Sequence, residues 1–199
     1  YNRLSLLNDR YSLVYFEKSF FSDKKSLQAF VKKCDIIVHL AGINRAENQE
    51  EVYKENMLIT DCLINAIKES KSTAHIIFSS SIQETLNNAY GISKKESSLK
   101  LMNFTKLNNL KFTSLIIPNV YGPFCKPFYN SVVATFCHQI LNKKKIKIIK
   151  NQNINFLYID DLVDDFIKII KVKNFRKLFR NVFPQKTISI KLLSNKINY

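Results

Sequence analysis

Three short apolar runs, separated by helical stretches, constrain the fold of this chain more than any other feature. The runs are DIIVHLAG (35–42), AHIIFSSS (74–81) and KFTSLIIPNVYG (111–122), and Pro118 ends the last of them as a strand. Short apolar runs that stop at glycine or at polar residues are typical of strands buried on both faces of a parallel sheet. Their alternation with helices predicts an α/β fold with a doubly wound parallel sheet.

Helical periodicity fills the intervals between these runs. Residues 23–34 predict a helix whose N-cap is Asp23 or Ser22, and residues 48–69 and 90–107 predict two long helices. Five further elements are predicted: a strand at 11–16, a helix near 131–142, a strand near 146–149, a helix over about 162–171 and a helix over SIKLLSNKI (189–197). Helical crossovers of this kind join neighbouring parallel strands.

The length and composition suit one globular domain. With 199 residues, 46% of them hydrophobic, the chain can bury a sizeable core, and we predict a single domain over residues 1–199. No apolar run approaches the roughly 18 residues of a membrane span. Four cysteines without a CxxC pair and three scattered histidines do not form a metal-site pattern. We therefore expect a cytoplasmic protein with free thiols, no metal and no membrane partner.

The net charge is strongly positive, at +15 from 31 lysines and arginines against 16 acidic residues. Such a balance could indicate a partner that is nucleic acid or an anionic surface. The lysines are scattered, however, and no motif spaces aromatic side chains for base stacking. We predict a basic surface that attracts anionic small molecules and no nucleic-acid partner, and a non-catalytic basic binding domain is the alternative.

Glycines and serines mark the ends of the predicted strands. The only three glycines are Gly42, Gly91 and Gly122, and Gly42 follows the first run while Ser79–Ser81 end the second. Pro118–Gly122 end the third run. Ligands of doubly wound sheets bind outside the carboxyl ends of the strands. This pattern predicts one site built from three strand ends.

Tyr90 and Lys94 lie four residues apart on a predicted helix, so their side chains share a face. A nearby ammonium group lowers the pKa of a phenol from its usual value of about 10, which lets it exchange a proton with a carbonyl or an alcohol. Ser81, at the preceding strand end, could hydrogen-bond the same oxygen. This spacing also occurs by chance, and the alternative is an exposed helical tyrosine above a lysine.

Six motifs, in order, resemble those of extended short-chain dehydrogenases/reductases, the NAD-dependent epimerase/dehydratase family. They are DIIVHLAGINR, NMLIT, FSSS, YGISK, PNVYGP and FLYIDDL. HLAGINRAEN, SSSIQETLNNAYGISK and PNVYGPFCKPFYNSVVATFCHQI resemble in particular the reductase domain of CapF/WbjC-type capsule and O-antigen enzymes, including the nine-residue step from Ser81 to Tyr90. The resemblance implies a Rossmann-like fold with a small, partial substrate-binding lobe, near residues 122–145 and 172–199.

The same resemblance implies an activity and partners. The activity is NADPH-dependent reduction of the 4-keto group of a UDP-2-acetamido-2,6-dideoxy-hexose, on the route to UDP-N-acetyl-L-fucosamine. The implied partners are the UDP-sugar, a second copy in a homodimer and a cupin domain in the full-length protein. A 4-epimerase or dehydratase of the same family is the alternative. Dehydratases usually carry acidic residues beside the serine, where Ile82 and Gln83 stand here.

Site residues also follow from the resemblance. Tyr90 is the implied proton donor, Lys94 lowers its pKa and binds the nicotinamide ribose, and Ser81 orients the substrate oxygen. The implied cofactor-binding residues are Lys18, Leu40, Ala41, Gly42, Asn56, Ser79, Tyr90, Lys94, Pro118 and Val120. The implied substrate-binding residues are Ser81, Ile82, Gln83, Asn119, Phe128, Tyr129, Asn130 and Ser131.

Several of these assignments have alternatives. Asn56 could be an ordinary polar residue of a helix, and Phe128 and Tyr129 could pack beneath a loop. Asp160 and Asp161 are interpreted as N-capping residues rather than as an acid–base pair.

Lys18 favours NADPH over NADH, because a basic residue after the strand at 11–16 suits a 2′-phosphate, although Glu17 precedes it.

The chain departs from the family pattern in two places. The three glycines are all assigned, so the Gly-rich G-x-x-G-x-x-G turn that seats the cofactor pyrophosphate is absent. We expect truncation before Tyr1 and beyond Tyr199, and a degenerate homologue that lost its cofactor site is the alternative. Ile116 stands where the CapF type carries an arginine, which removes one expected polar contact.

Overall fold

The computed structural model describes residues 11–172, 179–182 and 186–198 of the chain. The chain divides into two compact units, one running through Ile116 and including strand 179–181, and the other comprising residues 117–173 and the segment from Val182 onward. The helices are α1 (Lys24–Lys32), α2 (Gln49–Ser70), α3 (Ala89–Leu107), α4 (Val132–Leu141), α5 (Ile159–Lys171) and α6 (Ile190–Ile197). The strands are β1 (Ile36–His39), β2 (His75–Ser81), β3 (Phe112–Ile117), β4 (Asn119–Tyr121), β5 (Asn153–Tyr158), β6 (Phe179–Asn181) and β7 (Lys186–Ser189).

The first unit contains a four-stranded sheet of order β1-β2-β3-β6. β1 runs parallel to β2 and β3 parallel to β6, while α2 and α3 form the crossovers from β1 to β2 and from β2 to β3. The core of this unit joins sheet residues such as Ile76 and Phe78 to Val31, Ile67 and Leu101 of the three helices. The predicted α/β fold with a parallel, Rossmann-like sheet is confirmed.

Helix starts in this unit are specified by local side chains. The carboxylate of Asp23 accepts hydrogen bonds from the backbone N–H groups of Lys25 (3.0 Å) and Ser26 (3.3 Å), so Asp23 rather than Ser22 is the N-cap of α1. Asn48 and Asn88 cap α2 and α3 in the same way. Each cap satisfies N–H groups that have no partner within their own helix.

The second unit contains a three-stranded sheet of order β4-β5-β7, in which β5 is parallel to β4 and antiparallel to β7. Its small core includes Phe136 of α4, Phe156 of β5, Ile188 of β7 and Leu193 of α6. The strand predicted in the run 111–122 is β3, which ends before Pro118 as predicted, and the rest of the run forms a second strand, β4, in the other sheet. Pro118 separates them, because it has no N–H group to donate to a neighbouring strand.

Two predicted strands are wrong. Residues 11–16 have no strand structure, and Phe16 instead packs its ring against Phe20, Phe21 and Phe30, with centroids 5.1–5.5 Å apart. Residues 146–149 are likewise irregular, and the strand of this region is β5, which the sequence pattern missed along with β6 and β7. A strand forms only where a partner chain segment lies in register, and a local apolar pattern does not specify that partner.

The predicted helix at 162–171 begins earlier, at Ile159. Asp160 and Asp161 lie in its first turn, and the N-cap is Tyr158, which makes no side-chain capping hydrogen bond. The predicted capping role of the two aspartates is therefore wrong. Their negative charges instead lie at the positive end of the helix dipole.

Among the described residues, no helix combines the length and the apolar character required to cross a bilayer.

Candidate active site

Lys94 is a buried cation at the carboxyl end of β2. Its side chain extends from α3, is only 4% exposed, and donates a hydrogen bond from Nζ to the backbone oxygen of Ser79 (2.9 Å). The same Nζ lies 4.8 Å from the centre of the Phe78 ring. Burial lowers the pKa of Lys94 to about 8, because removal from water disfavours the charged form. The ammonium group is thus close to its titration point near neutral pH.

Tyr90 lies one helical turn before Lys94, in the first turn of α3. Its half-buried ring has the Lys94 Nζ over it, 5.8 Å from the ring centre. Burial raises the pKa of Tyr90 above its usual value, and a hydrogen bond with Ser81 acts in the opposite direction. The net shift is therefore opposite to the lowering that the spacing predicted, because desolvation of the phenolate is the largest effect.

The three serines at the end of β2 have different partners. Ser79 Oγ donates to the backbone oxygen of His39 on β1 (3.2 Å), and Ser80 Oγ donates to Glu84 Oε2 (2.6 Å).

Ser81 Oγ accepts from the backbone N–H of Gln83 (3.2 Å) and so caps the short 3₁₀ helix Ile82–Thr85. Ser81 is the serine whose hydroxyl forms a hydrogen bond with the Tyr90 hydroxyl, and its predicted contact with a substrate oxygen stays a prediction.

Gly91 allows the loop between Ser81 and Tyr90 to be as short as it is. A Cβ atom at this position would lie 2.1 Å from the backbone oxygen of Gln83 and 2.9 Å from that of Leu86. The loop backbone therefore packs directly on the first turn of α3, where any other residue would displace it. This contact holds the serine strand end next to the tyrosine.

Gly42 and Asn56 form the edge of the site after β1. Gly42 has φ +155°, and a Cβ there would lie 3.0 Å from Asn56 Oδ1 and 3.6 Å from Lys94 Nζ. The Asn56 amide, 5% exposed, accepts from the N–H of Ile43 (2.8 Å) and donates to its oxygen (2.9 Å). The Asn56 side chain therefore fixes the backbone of this loop through two hydrogen bonds to Ile43, and it is not an ordinary polar residue of a helix.

The residues beside Gly42 fit a dinucleotide cofactor. Because Gly42 has no Cβ atom, a bound group can approach the buried Lys94 ammonium. The side chain of Leu40, two residues before Gly42, is 57% exposed. A buried lysine with two further N–H groups suits the ribose hydroxyls of such a cofactor. The residues that could hold it here are Leu40, Ala41, Gly42, Asn56, Ser79, Tyr90 and Lys94.

Sequence reasoning missed His39, Phe78 and Ser93. His39 is 5% exposed, and burial together with the Lys94 charge lowers its pKa to about 3, so the imidazole is neutral. Its ring centre lies 5.5 Å from that of Phe78. The signal that could have identified the three missed residues was their position, since each stands immediately before a predicted site residue. Ser93, immediately before Lys94, is fully buried and hydrogen-bonded.

The other residues that were predicted to contact a cofactor or a substrate lie at the following positions in the fold. Lys18 is exposed in the 3₁₀ helix Lys18–Phe21, and Ile82 and Gln83 are half-buried in the helix after Ser81. The residues of the second unit are Pro118, Asn119, Val120, Phe128, Tyr129, Asn130 and Ser131. Ser131 Oγ caps α4, and the half-exposed Phe128 ring lies 5.3 Å from His138. Contact of Lys18, Pro118 and Val120 with a cofactor, and of the other residues with a substrate, stays a prediction.

In the described ranges, no three His, Cys, Asp or Glu side chains are grouped so as to hold a metal ion.

Comparison with known proteins places this chain in a family. The family model described as "NAD dependent epimerase/dehydratase family" matches residues 3–178. Over 173 residues the chain is 34% identical to a UDP-2-acetamido-2,6-beta-L-arabino-hexul-4-ose reductase of Pseudomonas aeruginosa, with 86% of this chain and 46% of the reductase aligned.

Solved structures agree with this match. CapF, a capsular polysaccharide assembling protein of Staphylococcus aureus, superposes with a TM-score of 0.79 at 25% identity, covering 99% of this chain and 53% of CapF. A UDP-glucose 4-epimerase of Thermotoga maritima, solved with UDP-glucose, gives a TM-score of 0.80 at 21% identity, covering 94% of this chain and 68% of the epimerase, and shares the fold. The chain spans about half the length of the reductase and of CapF. It belongs to the NAD-dependent epimerase/dehydratase family, as its motifs predicted.

Proposed function

We propose that the protein reduces the 4-keto group of a UDP-2-acetamido-2,6-dideoxy-hexose with NADPH. The observation that carries the proposal is the arrangement of Ser81, Tyr90 and Lys94, in which one strand end and one turn of α3 bring a hydroxyl, a phenol and a buried ammonium together. The printed name of the Pseudomonas relative supports the substrate class.

In the proposed reaction, a carbonyl becomes an alcohol by gaining a hydride at carbon and a proton at oxygen. A nicotinamide cofactor held by the residues around Gly42 and Lys94 would supply the hydride to C4. The Tyr90 hydroxyl donates the proton to the ketone oxygen, and the Ser81 hydroxyl donates a hydrogen bond to the same oxygen. The charged Lys94 favours transfer from Tyr90, because an ammonium group nearby stabilises the phenolate that remains.

The test is turnover of the keto sugar by the whole protein with NADPH. Loss of NADPH absorbance in step with formation of the 4-hydroxy sugar, identified by NMR, is the expected result. Inversion at C4 of a 4-hydroxy UDP-sugar with no net change in the coenzyme, together with no reduction of the keto sugar, would instead make the protein a 4-epimerase. Coenzyme and sugar binding without any product would favour a binding domain.

Lys18 is the basis for proposing NADPH rather than NADH. Its exposed ammonium could pair with a 2′-phosphate, and Glu17 beside it would repel one. The Lys18→Glu variant is expected to lower kcat/KM with NADPH at least tenfold and to leave kcat/KM with NADH within about threefold. Lys25→Glu, at an exposed position on α1, controls for the change in net charge. Equal losses with both coenzymes would remove Lys18 from the specificity site.

The expected pH dependence follows from Lys94. As the pH rises through about 8, Lys94 loses its proton, and we expect kcat/KM for reduction to fall because the phenolate loses its stabilising charge. Burial holds the pKa of Tyr90 above its usual value, and His39 titrates at about 3, so neither accounts for a change near pH 8.

The control is a pair of Lys→Met variants on α3. Lys94→Met should abolish this limb of the profile, whereas Lys100→Met, which removes an ion pair with Asp61 outside the site, should keep it. A profile that stays flat up to pH 10 in the wild type would contradict the assignment.

We also propose a homodimer, a cytoplasmic location and a cupin domain in the longer protein, as the resemblance implies. α2 and α3 present the exposed side chains of Leu58 and Leu99, and Tyr53 of α2 donates to Glu96 of α3 (2.5 Å). Sedimentation equilibrium of the whole protein tests the dimer, and a monomer at micromolar concentration would refute it.

A further inference from the structure

Two buried side chains connect the loop after β1 to the first turn of α3. Asn56 on α2 holds the N–H and the oxygen of Ile43, next to Gly42. Its amide also donates to Ser93 Oγ (2.9 Å), and Ser93 Oγ donates to the backbone oxygen of Tyr90 (2.8 Å). A continuous chain of hydrogen bonds therefore runs from the Gly42 loop to Tyr90.

We propose that Ser93 is a positioning residue, which keeps the Tyr90 turn of α3 and the Gly42–Ile43 loop in one fixed relation through Asn56. This inference rests on the proposed function, because it concerns where the proton donor stands relative to the cofactor loop. Ser93 has no exposed surface, so its hydroxyl does not touch a ligand.

The burial of these groups makes the connection specific. Asn56 uses both ends of its amide on the backbone of one residue, Ile43, which fixes the orientation of the loop, and its remaining N–H donates to Ser93 Oγ. If the Ser93 hydroxyl is removed, that buried N–H loses its partner. The amide can then rotate, and both the Ile43 backbone and the Tyr90 turn lose a constraint.

Ser97 provides a matched comparison within the same pair of helices. It lies one turn further along α3, is 2% exposed, and accepts a hydrogen bond from Thr60 of α2 (2.9 Å). Its own hydroxyl contacts the sulfur of Met57 (3.6 Å) and reaches neither Tyr90 nor the Gly42 loop. Ser93 and Ser97 thus make similar buried contacts between α2 and α3, and only Ser93 connects to the site.

The experiment compares Ser93→Ala with Ser97→Ala in the whole protein. Both should lower the urea midpoint of unfolding, because each removes buried hydrogen bonds between α2 and α3. Only Ser93→Ala should lower kcat, by at least tenfold, and raise the dissociation constant for NADPH. Ser97→Ala should stay within about twofold of wild type in both quantities.

Hydrogen exchange provides a readout that does not depend on activity. The Ile43 N–H bonds to Asn56, so its exchange should accelerate at least tenfold in Ser93→Ala and remain unchanged in Ser97→Ala. Ser93→Cys keeps a group of similar size with an S–H donor, so its kcat and its Ile43 exchange rate should lie between those of the wild type and of Ser93→Ala. This variant replaces Ser93→Ala in the comparison if Ser93→Ala does not fold.

The two proposals fail in different ways. Equal changes in kcat and in the dissociation constant for NADPH in Ser93→Ala and Ser97→Ala, or unchanged Ile43 exchange in Ser93→Ala, would overturn the role of Ser93 even if the wild type reduces the keto sugar. A wild type without turnover would overturn the proposed reaction, and the exchange rates would still decide whether Ser93 holds the loop.

Discussion

Replacing Tyr90 by phenylalanine is expected to lower kcat for the keto sugar by about 10²–10⁴-fold, the contribution of a well-placed general acid. The substitution removes one oxygen and keeps the ring, which packs under the Lys94 ammonium at 5.8 Å. The fold should therefore persist, and the loss should appear in kcat more than in the KM for NADPH. The measurement is steady-state reduction followed by NADPH absorbance.

Tyr53→Phe is the matched control for this prediction. Tyr53 lies on α2, and its hydroxyl donates to Glu96 (2.5 Å), so the variant loses the same atom and a hydrogen bond outside the site. Its kcat should remain within twofold of wild type. If Tyr90→Phe keeps wild-type kcat, Tyr90 is not the proton donor and the mechanism is wrong.

Gly91→Ala is the second substitution with a large expected effect, and two opposing contributions determine its sign. Within a helix, alanine is favoured over glycine by about 1 kcal/mol, which alone would stabilise the protein. The new Cβ, however, would lie 2.1 Å from the backbone oxygen of Gln83 and 2.9 Å from that of Leu86. Backbone atoms have no alternative rotamer, so the loop has to move, and overpacking of this kind costs roughly 1–3 kcal/mol or more.

We expect net destabilisation and a loss of activity beyond what the lower stability explains. Ser81 caps the displaced 3₁₀ helix, so a shift of that helix also moves the hydroxyl that meets Tyr90. Urea unfolding measures the first effect and kcat at a temperature where the variant is folded measures the second. Lys95→Ala, at an exposed site of α3, should change the free energy of unfolding by less than about 0.5 kcal/mol. A more stable Gly91→Ala variant would show that the loop does not pack on this glycine.

Local interactions explain why much of the fold was predictable. The N-cap of α1 was identified because Asp23 acts on N–H groups two and three residues away. The pairing of Tyr90 with Lys94 was identified because one helical turn brings them to the same face. The two strand predictions at 11–16 and 146–149 were wrong because a strand requires a partner from elsewhere in the chain, and the local pattern does not specify one.

The amino-acid sequence by itself determined the family, the parallel α/β class and the identity of the serine, tyrosine and lysine, since each depends on motifs or spacings within a few residues. The tertiary structure decided the electrostatic state of these groups. Burial against Phe78 and Ser79 lowers the pKa of Lys94, and burial raises that of Tyr90 where spacing alone had predicted a fall. It also decided which neighbours hold the site, because Asn56 and Ser93 meet only when α2 packs on α3. Desolvation and long-range contacts come from packing, and no short stretch of sequence contains them.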